Sequence, residues 1–211
     1  MSPLSPMLWI ALGLAYVVGS FPTAFLVGKA NGVDLRTVGS GNLGATNVFR
    51  TLGWKWGLLV YVVDFLKGLL PVLYLPAFAG VAGGTSAWAM AFGVLAIVGH
   101  VKPVFLLGKG GGKGVATASG VFVALSPVAA GLAVAAFVVC VAMTRYVSLG
   151  SLVGAAVLAV TLLVRDGSTL LTWLGCVIAA FVFYTHRDNI GRLRRGEERR
   201  IGTKSTVGGT A

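Results

Sequence analysis

Apolar runs separated by short polar segments fill the chain from Leu8 to Tyr184. Clear spans run at about Met7–Val27, Trp54–Phe78, Ala87–Gly99, Val147–Val164 and Leu170–Tyr184. Their lengths approach the roughly 20 apolar residues that a helix needs to cross a bilayer. Between Val115 and Met143 lie 29 apolar or small residues with Ser126-Pro127 inside. As one helix this stretch would measure about 43 Å, too long for a core of about 30 Å without strong tilt. Two helices hinged at Ser126-Pro127 would be short, the first especially, so length alone leaves both divisions open.

Charge separates them. With seven spans and the N-terminus outside, four polar segments share the inner face: Lys29–Lys55, Lys102–Lys113, the Arg145 turn and the tail from Arg187. Together they hold 15 of the 17 basic residues, whereas six spans would divide the loop and tail charges equally between the faces. Positive residues concentrate on the cytoplasmic side of membrane proteins. The expected fold is therefore all-α, a polytopic membrane protein of seven transmembrane helices. The N-terminus is expected outside and the C-terminus in the cytoplasm. Residues 1–202 form one integral-membrane domain, and residues 203–211 are a small, polar tail expected to be disordered.

Composition sharpens this picture. Of 211 residues 56% are hydrophobic and 11% are charged, against about 25% charged in soluble domains. That excludes disordered, collagenous and secreted disulfide-rich chains. The net charge of +11 would raise nucleic acid as a partner in a soluble protein. Here it sits between apolar spans, where the bilayer's anionic headgroups explain it, and no nucleic acid is expected. Cys140 and Cys176 both lie in apolar segments, with no metal or disulfide spacing. Met1–Ser5 lacks the basic start of a signal peptide, so the first span is expected to stay as a membrane helix. The 31 glycines exceed the average of about 7%. Some suit helix packing; those in the polar loops need another reason.

Three polar segments look chemical. The first, residues 39–50, reads GSGNLGATNVFR and contains a literal G-x-G-x-x-G. A dinucleotide fold would need a preceding strand, and a membrane helix precedes it instead. What survives is a glycine turn whose amides can face an anion, with Ser40, Asn42, Gly44, Thr46 and Asn47 around it and Arg50 as a bidentate fork. The second, residues 108–117, reads GKGGGKGVAT. Gly114 stands where a phosphate loop of the Walker type needs Ser or Thr for magnesium, so an NTPase is not expected. Gly111, Gly112 and Gly114 lead into a helix that carries Thr117, and Lys113 supplies a point charge. The third follows the last span: His186 and Asn189 lie three apart on one helical face, while Arg194, Arg195, Arg199 and Arg200 serve topology. Within the second span, Asp64 and Lys67 at i and i+3 fit a structural ion pair, with a place on a substrate pathway as the alternative. His100 has no identifiable partner and reads as structural.

In order along the chain, GSGNLGATNVFR, GGKGVATASG and HRDNIGRLRRGEE resemble the acyl-phosphate-dependent glycerol-3-phosphate acyltransferases of the bacterial inner membrane. Weaker matches are GSFPTAFLVGK and DFLKG, and the resemblance covers about Tyr16 to Glu198. It implies transfer of a fatty acyl group from acyl phosphate to the 1-hydroxyl of glycerol 3-phosphate. The products are lysophosphatidic acid and phosphate, at the first step of phospholipid synthesis. It further implies a multi-pass plasma-membrane enzyme without cofactor or metal, its site facing the cytoplasm. By motif position, Lys113, Arg50, His186 and Ser40 would be catalytic. Asn42, Gly44, Thr46, Asn47, Gly111, Gly112, Gly114, Thr117 and Asn189 would bind substrate.

The chemistry agrees with the residue types. Two phosphate-bearing substrates call for anion loops, and a mixed anhydride needs little nucleophile activation. Lys113, Arg50 and loop amides can stabilise phosphate and oxyanion charge, and the base is either His186 or a substrate phosphate. Thioester-dependent acyltransferases carry a His-x4-Asp pair, but Phe105 and Gly191 stand five residues after His100 and His186. The alternative class is a membrane transporter of phosphate-containing anions. It would place polar or broken spans near the midplane, often in inverted repeats, and the sequence shows no convincing repeat.

Overall fold

The computed structural model describes residues 5–202. Those residues form ten α-helices and one short 3-10 turn, with no strand among them. The helices are α1 (Pro6–Gly19), α2 (Thr23–Ala30), α3 (Ala45–Leu52), α4 (Trp54–Ala79), α5 (Ala87–Val101), α6 (Val115–Leu125), α7 (Pro127–Thr144), α8 (Val147–Asp166), α9 (Leu170–Thr185) and α10 (Arg187–Arg194). The tail expected to be disordered, 203–211, lies outside the described residues.

Five segments are long and apolar enough to cross a membrane: Pro6–Ala30, Trp54–Ala79, Ala87–Leu106, Pro127–Thr144 and Val147–Asp166. A sixth candidate combines α9 with α10, which turns away through 58°. The break anticipated at Ser126-Pro127 is present. Pro127 opens α7, where its missing N–H costs nothing. The result leaves α6 with 11 residues, about 16 Å of helix.

The first span departs from the single helix expected over Met7–Val27. It breaks after Gly19, and α2 starts again at Thr23. Pro22 explains this, because it removes an N–H and disfavours helical backbone at Phe21. Ser20 Oγ donates to the Tyr16 carbonyl at 2.8 Å, and the Phe21 carbonyl, freed from the helix, accepts from Lys67 Nζ at 2.9 Å. The break therefore satisfies a buried ammonium deep in the bundle.

The core is assembled from small residues and a few large ones. α4 and α6 approach closely enough that a Cβ on Gly68 would collide with the Thr117 carbonyl, and one on Gly120 with that of Phe65. Such contacts drive association where lipid removes the usual hydrophobic gain. Around them Val121, Phe122, Ala129, Leu162 and Ile178 form the main apolar cluster. Outward, Leu163, Val164, Trp173 and Val177 stay exposed, as lipid-facing side chains do.

Candidate active site

The polar segments between helices converge at one end of the bundle. In the first, Gly39 and Gly41 take left-handed φ values of +66° and +69°, which glycine adopts without steric cost. The turn they make wraps around the buried side chain of Asn47 in the first turn of α3. Asn47 Oδ1 accepts from the Ser40 N–H at 2.9 Å, and its Nδ2 donates to the Leu35 and Val38 carbonyls at 3.1 and 3.2 Å. Asn47 thus spends its amide on holding the loop, and the loop presents Ser40. One helical turn later Arg50 donates from Nη2 to the Arg199 carbonyl at 2.8 Å, leaving its buried Nε without a protein partner.

The second segment returns from α5 to α6. Its Lys113 Nζ donates to Asn189 Oδ1. Gly114, at φ +82°, precedes the first turn of α6. Asn42 Nδ2 reaches the Gly111 carbonyl at 3.4 Å and ties this loop to the first.

The third segment starts where α9 ends. His186, just beyond that span, has Nδ1 2.8 Å from the Val182 carbonyl. A carbonyl only accepts, so Nδ1 carries the proton and Nε2 is left as an acceptor. Asn189, in α10, donates from Nδ2 to Glu198 Oε1 at 2.7 Å. The same carboxylate accepts from Ser148 Oγ at 2.8 Å and from Arg192 Nε at 2.7 Å.

A cavity of ≈ 150 Å³ lies between these segments, lined by Ser40, Asn42, Gly44, Thr46, Asn47, Arg50, Lys113, Gly114, His186 and Asn189. Ten of the thirteen residues anticipated from sequence therefore share one space. Three do not. Gly111 and Gly112 line a neighbouring cleft of ≈ 10 Å³ with Phe21 and Lys67, which shares Asp64 and His100 with the cavity. Thr117 is fully buried, its backbone packed against Gly68 of α4.

Residues that sequence reasoning did not single out also line the cavity: Tyr61, Phe137, Ser148, Ser151 and Glu198; Asp64 and His100, which read from sequence as structural, line it too. Glu198 had a faint signal, as an acid closing a basic run. Ser148 and Ser151 had another, two hydroxyls three apart opening an apolar helix. A second cavity of ≈ 420 Å³ adjoins the first and shares Tyr61, Val115, Phe137 and Ser151 with it. Its remaining walls are almost wholly apolar, among them Phe122, Val134, Leu158, Ile178 and Val182.

The electrostatics are those of an anion site. Burial, then the nearby Arg192, push the Lys113 ammonium down to about 8, against the opposing pull of Glu198 and Asp188. Burial, then Lys113, push His186 down to about 4, so its ring is neutral near pH 7. Burial alone would raise Glu198, but hydrogen bonds from Arg192, Asn189 and Ser148 outweigh it and hold the carboxyl below its ordinary value. Deeper in the bundle the Asp64–Lys67 pair closes at 2.8 Å, with Thr23 Oγ1 donating to Asp64 at 3.2 Å. Among the described residues no group of three or more His, Cys, Asp or Glu side chains is placed to hold a metal ion.

Comparison with known proteins points the same way. The family model described as glycerol-3-phosphate acyltransferase matches residues 9–196. A glycerol-3-phosphate acyltransferase of Geobacter sulfurreducens is 48% identical over 192 residues, covering 91% of this chain and 96% of its own. One of Synechococcus elongatus is 45% identical over 196 residues, covering 90% and 93%. The crystal structure of an integral membrane glycerol 3-phosphate acyltransferase in its glycerol 3-phosphate form superimposes with a TM-score of 0.85. Its identity is 41%, over 93% of this chain and 96% of that one. Its lysophosphatidic acid form gives 0.81 at 39% identity, with the same coverage. The chain belongs to the glycerol-3-phosphate acyltransferase family, and it is an all-helical integral membrane protein of that family.

Proposed function

We propose that this protein transfers a fatty acyl group from acyl phosphate to the 1-hydroxyl of glycerol 3-phosphate, giving lysophosphatidic acid and inorganic phosphate. The observation that carries this reading is the junction of two unlike cavities. A basic, hydrogen-bonding space with Lys113 and Arg50 opens onto an apolar one at Tyr61, Val115, Phe137 and Ser151. A phosphate head beside a fatty chain is the ligand chemistry that fits both. In this reading residues 1–202 are one catalytic domain with seven spans, α6 being the short seventh, and the site faces the cytoplasm of a bacterial inner membrane.

The reaction follows from the groups present. The glycerol 1-hydroxyl oxygen attacks the acyl carbonyl carbon and forms a tetrahedral oxyanion. The bond between that carbon and the phosphate oxygen then breaks, and the electron pair leaves with phosphate. Lys113, Arg50 and the Ser40 hydroxyl stabilise the negative charge that grows on the oxyanion and leaving group. Asn42, Thr46 and the amides around Gly44 and Gly114 orient the phosphates, with Asn189 steering Lys113. The hydroxyl proton passes to a phosphate oxygen more readily than to His186. The second pKa of a phosphate ester is about 6, whereas His186 is held near 4. His186 then acts as a hydrogen-bond acceptor that orients the hydroxyl. No acyl-enzyme is needed, because the mixed anhydride is already activated.

Purified protein incubated with labelled glycerol 3-phosphate and palmitoyl phosphate should form labelled lysophosphatidic acid, and palmitoyl thioester in parallel should form none. Product from the thioester alone would overturn the donor, and product from neither would overturn the activity.

A further inference from the structure

Among the buried groups that the mechanism above does not use is a histidine at the end of α5. His100, in the last turn of α5, is 6% exposed, and its Nδ1 has no hydrogen-bond partner. On one side this nitrogen faces Asp64, with Oδ1 at 3.8 Å. On the other side the ring lies directly under Gly112, where a Cβ would collide with the imidazole. Gly112 shows no left-handed φ, so its need for glycine is one of space. The backbone repeats the contact: the Gly112 N–H donates to the His100 carbonyl at 3.3 Å. A Cβ on Gly111 would likewise strike the Val101 carbonyl. The residue after Gly112 is Lys113.

The support behind the ring is equally connected. Asp64 is held by Lys67 at 2.8 Å and Thr23 at 3.2 Å, and Lys67 by the Phe21 carbonyl at 2.9 Å. A continuous chain of contacts thus runs from the break in the first span, through the α4 ion pair and the His100 ring, to the loop bearing the catalytic lysine. We propose that His100 is a positioning residue: wedged between Asp64 and Gly112, its ring is the surface on which the glycine loop closes and sets the Nζ of Lys113 in the cavity. The ring also forms part of the cavity wall, but in this role it acts through Lys113. Misplacing a catalytic group by about 1 Å can cost up to about 10²-fold in rate.

This inference rests on the acyltransferase reading, and its test separates the two. For the full-length protein, kcat and KM for glycerol 3-phosphate with palmitoyl phosphate are measured against pH. The variants are His100→Ala, Gly112→Ala and their double. Each single variant is expected to lose at least about tenfold in kcat/KM. The double variant is expected to be no worse than the poorer single, because removing the ring makes room for the new methyl group. The alkaline limb of kcat/KM, set by Lys113, should also move upward in His100→Ala as the loosened loop admits water. Arg50 from α3, Asp188 and Arg192 from α10, His186 and Glu198 all face that ammonium and remain unchanged. If His100→Ala does not fold, Gly112→Ala against Gly112→Ala/His100→Asn reads the same contact, and recovery in the double is the expected result. Losses that multiply in the double variant, or a His100→Ala enzyme within twofold of the parent with an unmoved limb, would overturn the proposal. An inactive parent protein would instead remove the acyltransferase reading.

Discussion

The two glycine-rich loops have similar composition and end in the same cavity, yet they are built on opposite principles. The first, from Gly39 to Arg50, is organised from within. Its left-handed glycines turn the backbone around Asn47, whose amide makes three bonds to Ser40 and to Leu35 and Val38 just upstream in the same connection between α2 and α3. The second, from Gly108 to Lys113, is organised from outside. Gly111 and Gly112 are pressed against the end of α5, and Asn42 reaches across from the other loop. Glycine in the first loop supplies a backbone conformation; in the second it supplies closeness. Two loops of similar composition therefore respond differently to mutation.

The largest expected effect tests the shared purpose of the loops. Lys113→Met keeps the length of the side chain and removes its charge, so kcat should fall by about 10²–10³, as when an oxyanion donor is lost. A Lys113→Met enzyme within tenfold of the parent would take the second loop out of the chemistry. Next, Asn47→Ala should destabilise the fold by about 3 kcal/mol, since it removes three bonds and strands buried backbone groups. Asn42→Ala breaks one bond of 3.4 Å and should cost only about 0.5 kcal/mol. Thermal unfolding of the two variants in the same detergent compares them directly, and equal shifts would erase the contrast between internal and external support.

A smaller effect follows from charge. Lys113 must be protonated to stabilise phosphate, and its pKa of about 8 lies below the ordinary lysine value. Activity should therefore be full between about pH 6, below which the substrate phosphate that accepts the proton is itself protonated, and pH 8, and fall with rising pH above it, approaching tenfold per unit in kcat/KM. A profile flat to pH 10 would show that the loop leaves Lys113 hydrated. Smallest of all, Gly41→Ala should cost about 1 kcal/mol, because it forces a left-handed φ of +69° on a residue with a Cβ. No change in unfolding temperature would mean that the first loop relaxes freely.

Much of this was legible in the residues, for identifiable reasons. Membrane helices announce themselves by length and hydropathy, and the hinge at Pro127 by the proline itself. The loop residues Ser40, Arg50, Lys113, His186 and Asn189 stood out because polar groups are rare in this chain and cluster in three short stretches. The break at Pro22 is not legible in the sequence pattern, although the proline itself is. Apolar residues on both sides disguised a kink whose stabilising partner, Lys67, lies 45 positions away. Asn47 reads from sequence as a substrate ligand; it does line the cavity, and its amide also holds the loop backbone. Thr117 shared a motif with Lys113, but the helix turns it toward Gly68 and away from the cavity.

The sequence by itself determined that the chain is helical and membrane-embedded and that its chemistry resides in three polar segments. Those properties depend on local composition and spacing. Only the tertiary structure decided which groups meet. Glu198 joins Ser148 across 50 residues of chain, His100 lies beneath Gly112, and the apolar cavity is shared among α4, α6, α7, α8 and α9. Such contacts depend on how whole helices pack, and steric fit between distant side chains leaves no periodic trace along the sequence.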